Sequence, residues 1–247
     1  MSDSDSEELA GRVIMITGAS RGLGRAVAAA CAAAGAMTLV CGRDVPALES
    51  LADELESRGD PAPVIVPVNL ETASIDDFLS IAAHVNEQFG RLDGLVVNAA
   101  AVGELAPLET YDPMIWARVF QVNVHSVFLL LQSCLPLLAE ADDAAIVFSL
   151  AEEGDRGRAH WGAYAATKSA LKSLMEILAD EHESNSGLRV TGVISGPLRT
   201  GLRMTAFPAH DPLAFAPPET AAGMYVELLG PRGRGMHGIV LKTPRHV

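Results

Sequence analysis

Tyr164 and Lys168, four residues apart in "YAATK" (164–168), form the pair in this chain whose types and spacing can move a proton. On a helix that spacing projects both side chains from one face. An ammonium near a phenol favours the phenolate and lowers the phenol pKa towards working pH, which makes the tyrosine a usable proton donor and acceptor. The pair works best when a second hydroxyl polarises the reacting oxygen. Upstream, in "FSLAEEGDRGRAHWGAYAATK" (148–168), the residues offered are Ala151, Glu152 and Glu153. Taken alone, a tyrosine and a lysine at this spacing read as a solvated helix pair, so the rest of the chain has to decide.

A second stretch points to a phosphate-bearing ligand. In "VIMITGASRGLGRAVAAACAAAG" (13–35) an apolar strand ends at Thr17, Gly18, Gly22 and Gly24 follow, and an alanine-rich helix begins. Glycines there permit a tight turn and close backbone approach to a pyrophosphate, which meets the positive end of the helix. An ordinary glycine-rich turn has the same composition, but the strand and helix required around a nucleotide motif are both present. The next strand ends in "LVCGRD" (39–44). A carboxylate at that point would bind a ribose 2′-hydroxyl, whereas arginine accommodates a 2′-phosphate. Gly42 occupies the acidic position and Arg43 follows; Arg21 in the glycine loop adds a second planar donor fork. Asp44 is read as a helix cap, directed at backbone amides. These residues predict NADP(H) rather than NAD(H).

The elements that must position these groups follow from short Val- and Ile-rich runs alternating with helical patterns. Strands are expected at 13–17, 37–41, 64–68, 95–98, 145–150, 190–195 and 238–241. Helices are expected at 25–34, 46–58, 75–89, 113–139, 162–183 and 219–229, with caps at Asp44, Asp112 and the "SIDD" of 74–77. Continuous rather than alternating apolarity suits strands covered on both faces. The pattern predicts an α/β, Rossmann-type, doubly wound parallel sheet of about seven strands.

Composition narrows the class. With 247 residues, 49% of them apolar, the chain is read as one domain over 9–247 behind a disordered acidic tail over 1–8. A net charge of −13 argues against nucleic acid or an anionic membrane as partner. The run "VFLLLQSCLPLLA" (127–139) is too short to span a bilayer and contains Pro136. Cys31, Cys41 and Cys134 are widely spaced and odd in number, which suits buried thiols in a reducing cytoplasm. No histidine pair has metal-ligand spacing, so no metal is expected.

Five motifs in order now resemble the short-chain dehydrogenase/reductase family over nearly the whole chain: "TGASRGLG" (17–24), "VVNAAAVG" (96–103), "QVNVHSVF" (121–128), "YAATK" (164–168) and "SGPLRT" (195–200). The resemblance implies hydride transfer between a nicotinamide cofactor and a small carbonyl or alcohol substrate. It implies catalytic roles for Tyr164, Lys168 and Asn123, with Lys168 also on the nicotinamide ribose and Asn123 holding a water that links Lys168 to solvent. It implies cofactor contacts at Gly18, Ser20, Arg21, Gly22, Leu23, Gly24, Arg43, Asn69, Leu70, Asn98, Ala99, Ala100, Tyr164, Lys168, Gly196, Leu198 and Thr200. The segment 200–218 would be the substrate lid, with Met204, Phe207 and Phe215 against substrate or core. Helices 113–139 and 162–183 would pair two subunits into a homodimer or homotetramer.

Departures from the family pattern are equally specific. The polarising serine expected thirteen residues before the tyrosine is Ala151. Ser149 is two residues back, about 6.6 Å along a strand, and too deep to replace it. Asn69 and Ser195 replace a common aspartate and proline, and Ala100 a common glycine. Two functions stay open on this reading: a working NADP(H) oxidoreductase, weakened at Ala151, and a non-catalytic NADP(H)-binding sensor or partner subunit.

Overall fold

A computed structural model describes residues 8–183 and 187–243 of the chain. Residues 1–7 of the expected tail, and His246, lie outside the described residues. The described part contains seven strands: β1 (Val13–Thr17), β2 (Met37–Gly42), β3 (Val64–Pro67), β4 (Gly94–Val97), β5 (Ala144–Leu150), β6 (Leu188–Ile194) and β7 (Val240–Lys242). They form one parallel sheet in the order β3-β2-β1-β4-β5-β6-β7. The order reverses between β1 and β4, and in such sheets the crevice at the carboxyl ends beside that switch receives ligands.

Helices cover both faces, as the unbroken burial of β1, β4, β5 and β6 requires. On one face α3 (Ile75–Phe89), α5 (Ser126–Ala139) and α7 (Gly162–Glu181) bury Phe78, Leu130, Leu138 and Met175 against the sheet. On the other face α1 (Gly22–Ala33), α2 (Val45–Arg58) and α9 (Glu219–Leu229) bury Val27, Cys31, Leu51 and Tyr225. Alanine dominates α1, so that helix lies close to the strands. The expected caps form: Asp44 accepts from the Ala47 amide at 3.3 Å, and Asp112 from the Met114 amide at 2.7 Å. Ser74 and Asp77 make a reciprocal capping box.

Several boundaries differ from expectation. The helix expected at 113–139 is divided into α4 (Pro113–Phe120), a π segment Gln121–His125 and α5. The π segment carries Asn123, whose side chain is committed to the Ala101 peptide of the neighbouring loop. Pro136 lies inside α5 without ending it. The whole run Pro113–Ala139 does reach the length and apolarity of a membrane span, contrary to the reading of its second half alone. It packs on the sheet instead, with Leu129, Leu130, Leu131, Leu137 and Leu138 buried. Two short helices were not foreseen: α6 (Glu152–Asp155), directly after Ala151, and α8 (Gly201–Ala206), within the expected lid.

Candidate active site

The carboxyl ends of β1, β2, β4, β5 and β6 open into one cavity of about 620 Å³. Its floor is stitched at the switch point. Thr17 Oγ1 donates to the Val96 carbonyl at 3.1 Å and accepts from the Asn98 and Ala99 amides at 2.9 and 3.1 Å. The Asn98 carboxamide nitrogen donates back to the Thr17 carbonyl at 3.0 Å.

Of the residues expected from sequence, Gly18, Ser20, Arg21, Gly22, Leu23, Arg43, Asn69, Leu70, Asn98, Ala99, Ala100, Tyr164, Lys168, Gly196, Leu198 and Thr200 line this cavity, as do Ala151, Glu152 and Glu153. Gly24 does not line it. A Cβ at Gly24 would stand 2.2 Å from the Gly18 carbonyl oxygen, so this glycine lets α1 approach the loop rather than touching a ligand. Asn123 is also behind the wall. Its Oδ1 accepts from the Ala101 amide at 2.7 Å, and its Nδ2 donates to the Ala101 carbonyl and to Thr167 Oγ1, both at 2.9 Å. Its carboxamide therefore braces the loop after β4 against α7. Among the described residues no group of three or more potential metal ligands occurs.

Tyr164 and Lys168 project from α7 into the cavity, both buried. The Lys168 Nζ donates to the Ser149 carbonyl at 2.8 Å and lies 5.7 Å from the centre of the Tyr164 ring. Burial pushes Lys168 down to about 8, with Glu153 opposing. The Tyr164 phenol is held above its ordinary pKa, first by burial and then by Glu153, with Arg203 acting against them. This differs from the lowered phenol expected from a neighbouring ammonium. The physical reason is that Lys168 is directed at the Ser149 carbonyl, while loss of solvent and a carboxylate both penalise the phenolate.

Ala151 caps α6 and brings no hydroxyl to the cavity. Ser149 is buried and lines the cavity floor. Its Oγ donates to Asn98 Oδ1 at 3.3 Å and shares a 2.9 Å hydrogen bond with the Tyr225 hydroxyl from α9. It supports Asn98.

At the far end of the cavity Arg43 pairs with Glu71 at 2.5 Å, a partner that sequence reasoning missed because Glu71 follows a different strand. Asn69 accepts from the Glu71 amide at 3.1 Å and so shapes that turn. A Cβ at Gly42 would make only ordinary contact, with Leu48 at 3.7 Å and Ser20 at 3.9 Å, and Gly42 lines the cavity where an acidic side chain would otherwise project. In the lid, Thr200 accepts from the Arg203 amide at 3.2 Å and starts α8. Phe207 and Phe215 pack with Arg203 and His210 and are absent from the cavity lining. The residues that line it from this segment are Thr200, Gly201, Leu202, Arg203, Thr205 and Ala206.

A switch-point crevice with a glycine cradle at one end and a buried Tyr–Lys pair at the other defines a Rossmann-type protein built to hold a dinucleotide beside a proton donor. The sequence profile of the short chain dehydrogenase family matches residues 12–211. The chain is 36% identical over 228 residues to an uncharacterized oxidoreductase, YciK, of Escherichia coli, covering 92% of this chain and 90% of that one. A solved structure from Pseudomonas syringae, described as a short chain dehydrogenase, superposes with a TM-score of 0.95 at 40% identity, covering 98% of each chain. Another, from Escherichia coli CFT073 and complexed with NADPH, superposes with a TM-score of 0.92 at 36% identity, covering 96% of this chain and 98% of that one. The protein therefore belongs to the short chain dehydrogenase family and is an oxidoreductase by family.

Proposed function

We propose that the protein interconverts a small carbonyl compound and its alcohol with NADP(H). The observation that carries the reading is the convergence of the Tyr164 hydroxyl and the Lys168 ammonium on the cavity whose other end is the glycine cradle. The residues fit the cofactor: Gly18 and Gly22 line the cradle, and no acid stands at Gly42, which lines the cavity with Arg43 and Arg21, to oppose a 2′-phosphate. When bound, the cofactor supplies or accepts the hydride. In the reducing direction Tyr164 gives its proton to the substrate oxygen as the carbonyl carbon is reduced. Burial keeps that proton on the phenol at neutral pH, which suits a donor. Lys168 stays charged below about pH 8 and steadies the phenolate left behind. Asn123 acts by bracing the Ala101 loop against α7.

Cofactor choice deepens the reading. Arg43 has to exchange Glu71 for a phosphate, and guanidinium–phosphate pairing is bidentate and charge-assisted. The NADPH complex of the Escherichia coli CFT073 relative supports this choice. Buried, unpaired Cys31, Cys41 and Cys134 support a reducing, cytoplasmic setting. Leu108 and Met114, 72% and 77% exposed, and the exposed Phe128 of α5 and Ile177 of α7 support a homodimer or homotetramer.

A second reading, an NADP(H)-binding sensor or partner subunit without turnover, is favoured by Ala151 and by the charge of Glu153 against the phenolate. One experiment separates the two: NADPH oxidation against a panel of carbonyl compounds beside an NADPH titration, for wild type and Tyr164→Phe. Turnover that vanishes in the variant with NADPH affinity unchanged supports the oxidoreductase. Tight NADPH binding with no turnover by wild type moves the reading to the sensor.

A further inference from the structure

Arg203, on α8, is a charge in the cavity for which the proton chemistry has no use. Its guanidinium carbon lies 4.1 Å from the centre of the Phe207 ring and 4.9 Å from that of Phe215. His210 stacks on Phe207 at 4.8 Å and reaches Phe215 at 5.8 Å, closing the aromatic cluster. Guanidinium stacked on aromatic faces is fixed in orientation while its N–H edge stays available. The Nε of Arg203 is nonetheless buried without a hydrogen-bond partner. Burial lowers its pKa from the ordinary guanidinium value, and the charges of Glu153, Tyr164 and Arg158 all reach it. The path back to the proton donor is short, because the Trp161 ring lies 5.6 Å from both Tyr164 and Phe207.

A half-buried guanidinium with one buried, unmet N–H penalises a ligand that brings only apolar surface and rewards one that brings an acceptor pair. We propose that Arg203 recognises a carboxylate on the substrate, so that the protein selects short oxo acids over neutral carbonyl compounds of the same shape. This rests on the carbonyl-reduction reading and names its substrate class. A carboxylate fits better than a phosphate, since Glu152 and Glu153 line the same cavity and would oppose a dianion more strongly. With a net charge of −13 the protein does not attract anions from a distance, so selection has to come from bidentate contact.

The test uses 2-oxobutanoate, 3-oxobutanoate and 4-oxopentanoate, each beside its methyl ester. Calorimetry on the NADP⁺-saturated protein measures binding where no hydride is available for reduction. At least one acid is expected to bind tenfold or more tightly than its ester. Arg203→Gln should bring that acid to the level of the ester with NADPH affinity unchanged, and Arg203→Lys should fall between them. Equal binding of acids and esters, no binding by any acid, or a preference that survives in Arg203→Gln overturns the assignment. Loss of NADPH affinity in Arg203→Gln places the guanidinium on the cofactor and overturns it too. Esters reduced as fast as acids would sink the anion site while carbonyl reduction stands. Acids bound through Arg203 but never reduced would uphold the site and sink the reduction.

Discussion

Replacing Ala151 with serine should raise carbonyl reduction. Ala151 lines the cavity with Tyr164 and is half-buried at the exit of β5, thirteen residues ahead of the phenol. A preorganised donor to an oxygen that gains charge is worth about 2.7–4 kcal/mol, or roughly 10²–10³ in rate. Two local features decide how much of this returns. Residue 151 is the cap of α6, so a serine oxygen there can accept from an amide of the first turn while its hydrogen points to the substrate. That cap helps orient the hydroxyl and should itself add about 0.5–2 kcal/mol of stability. Glu153 acts in the other direction, because its charge penalises negative charge on Tyr164 and on any oxygen beside it. The expected gain for Ala151→Ser is therefore about tenfold, rising towards 10² in Ala151→Ser with Glu153→Gln. The assay is NADPH oxidation on the best available carbonyl substrate, with thermal melting as the independent readout of the new cap. A serine variant that melts higher, binds NADPH normally and reduces no faster would refute the reasoning, since the hydroxyl would then be present and oriented without contributing to turnover.

Two further outcomes follow from the charges around the cavity. NADPH should bind at least tenfold more tightly than NADH; Arg43→Leu should shrink that ratio, and Glu71→Gln should widen it by releasing Arg43, with calorimetry as the readout and equal affinities in wild type as the refuting result. Carbonyl reduction should hold steady below about pH 8 and fall above it as Lys168 loses its proton, while the raised phenol does not titrate in that range. Glu153→Gln, which removes the charge that supports the ammonium, should move the break to lower pH; a kcat/KM profile flat to pH 10 would refute the assignment.

The alternation of apolar strands with capped helices was legible because each signal is local. Asp44, Asp112 and the Ser74–Asp77 box formed the caps their side chains predict. Unbroken runs such as "VIMIT" and "AAIVFSL" could belong only to strands covered on both sides. The glycine loop, the absence of an acid at Gly42 and the Tyr–Lys spacing were equally readable, since backbone geometry and helix periodicity limit what they can do.

What the tertiary structure decided depends on groups far apart in the chain. Arg43 meets Glu71 only because β2 and β3 are neighbours. The Asn123 carboxamide is a brace because the loop after β4 presents the Ala101 peptide to it, and the π segment accompanies that contact. Lys168 donates to the Ser149 carbonyl, a partner from another element that the motif does not name. Arg203 drew no notice in a lid read for its apolar residues, yet the folding of that lid leaves its guanidinium between two rings with an N–H edge unmet. A motif names the residue types that chemistry needs. Protonation state, hydrogen-bond partner and exposure are set by desolvation and by charges from other elements, and both depend on distances that exist only once the chain has folded.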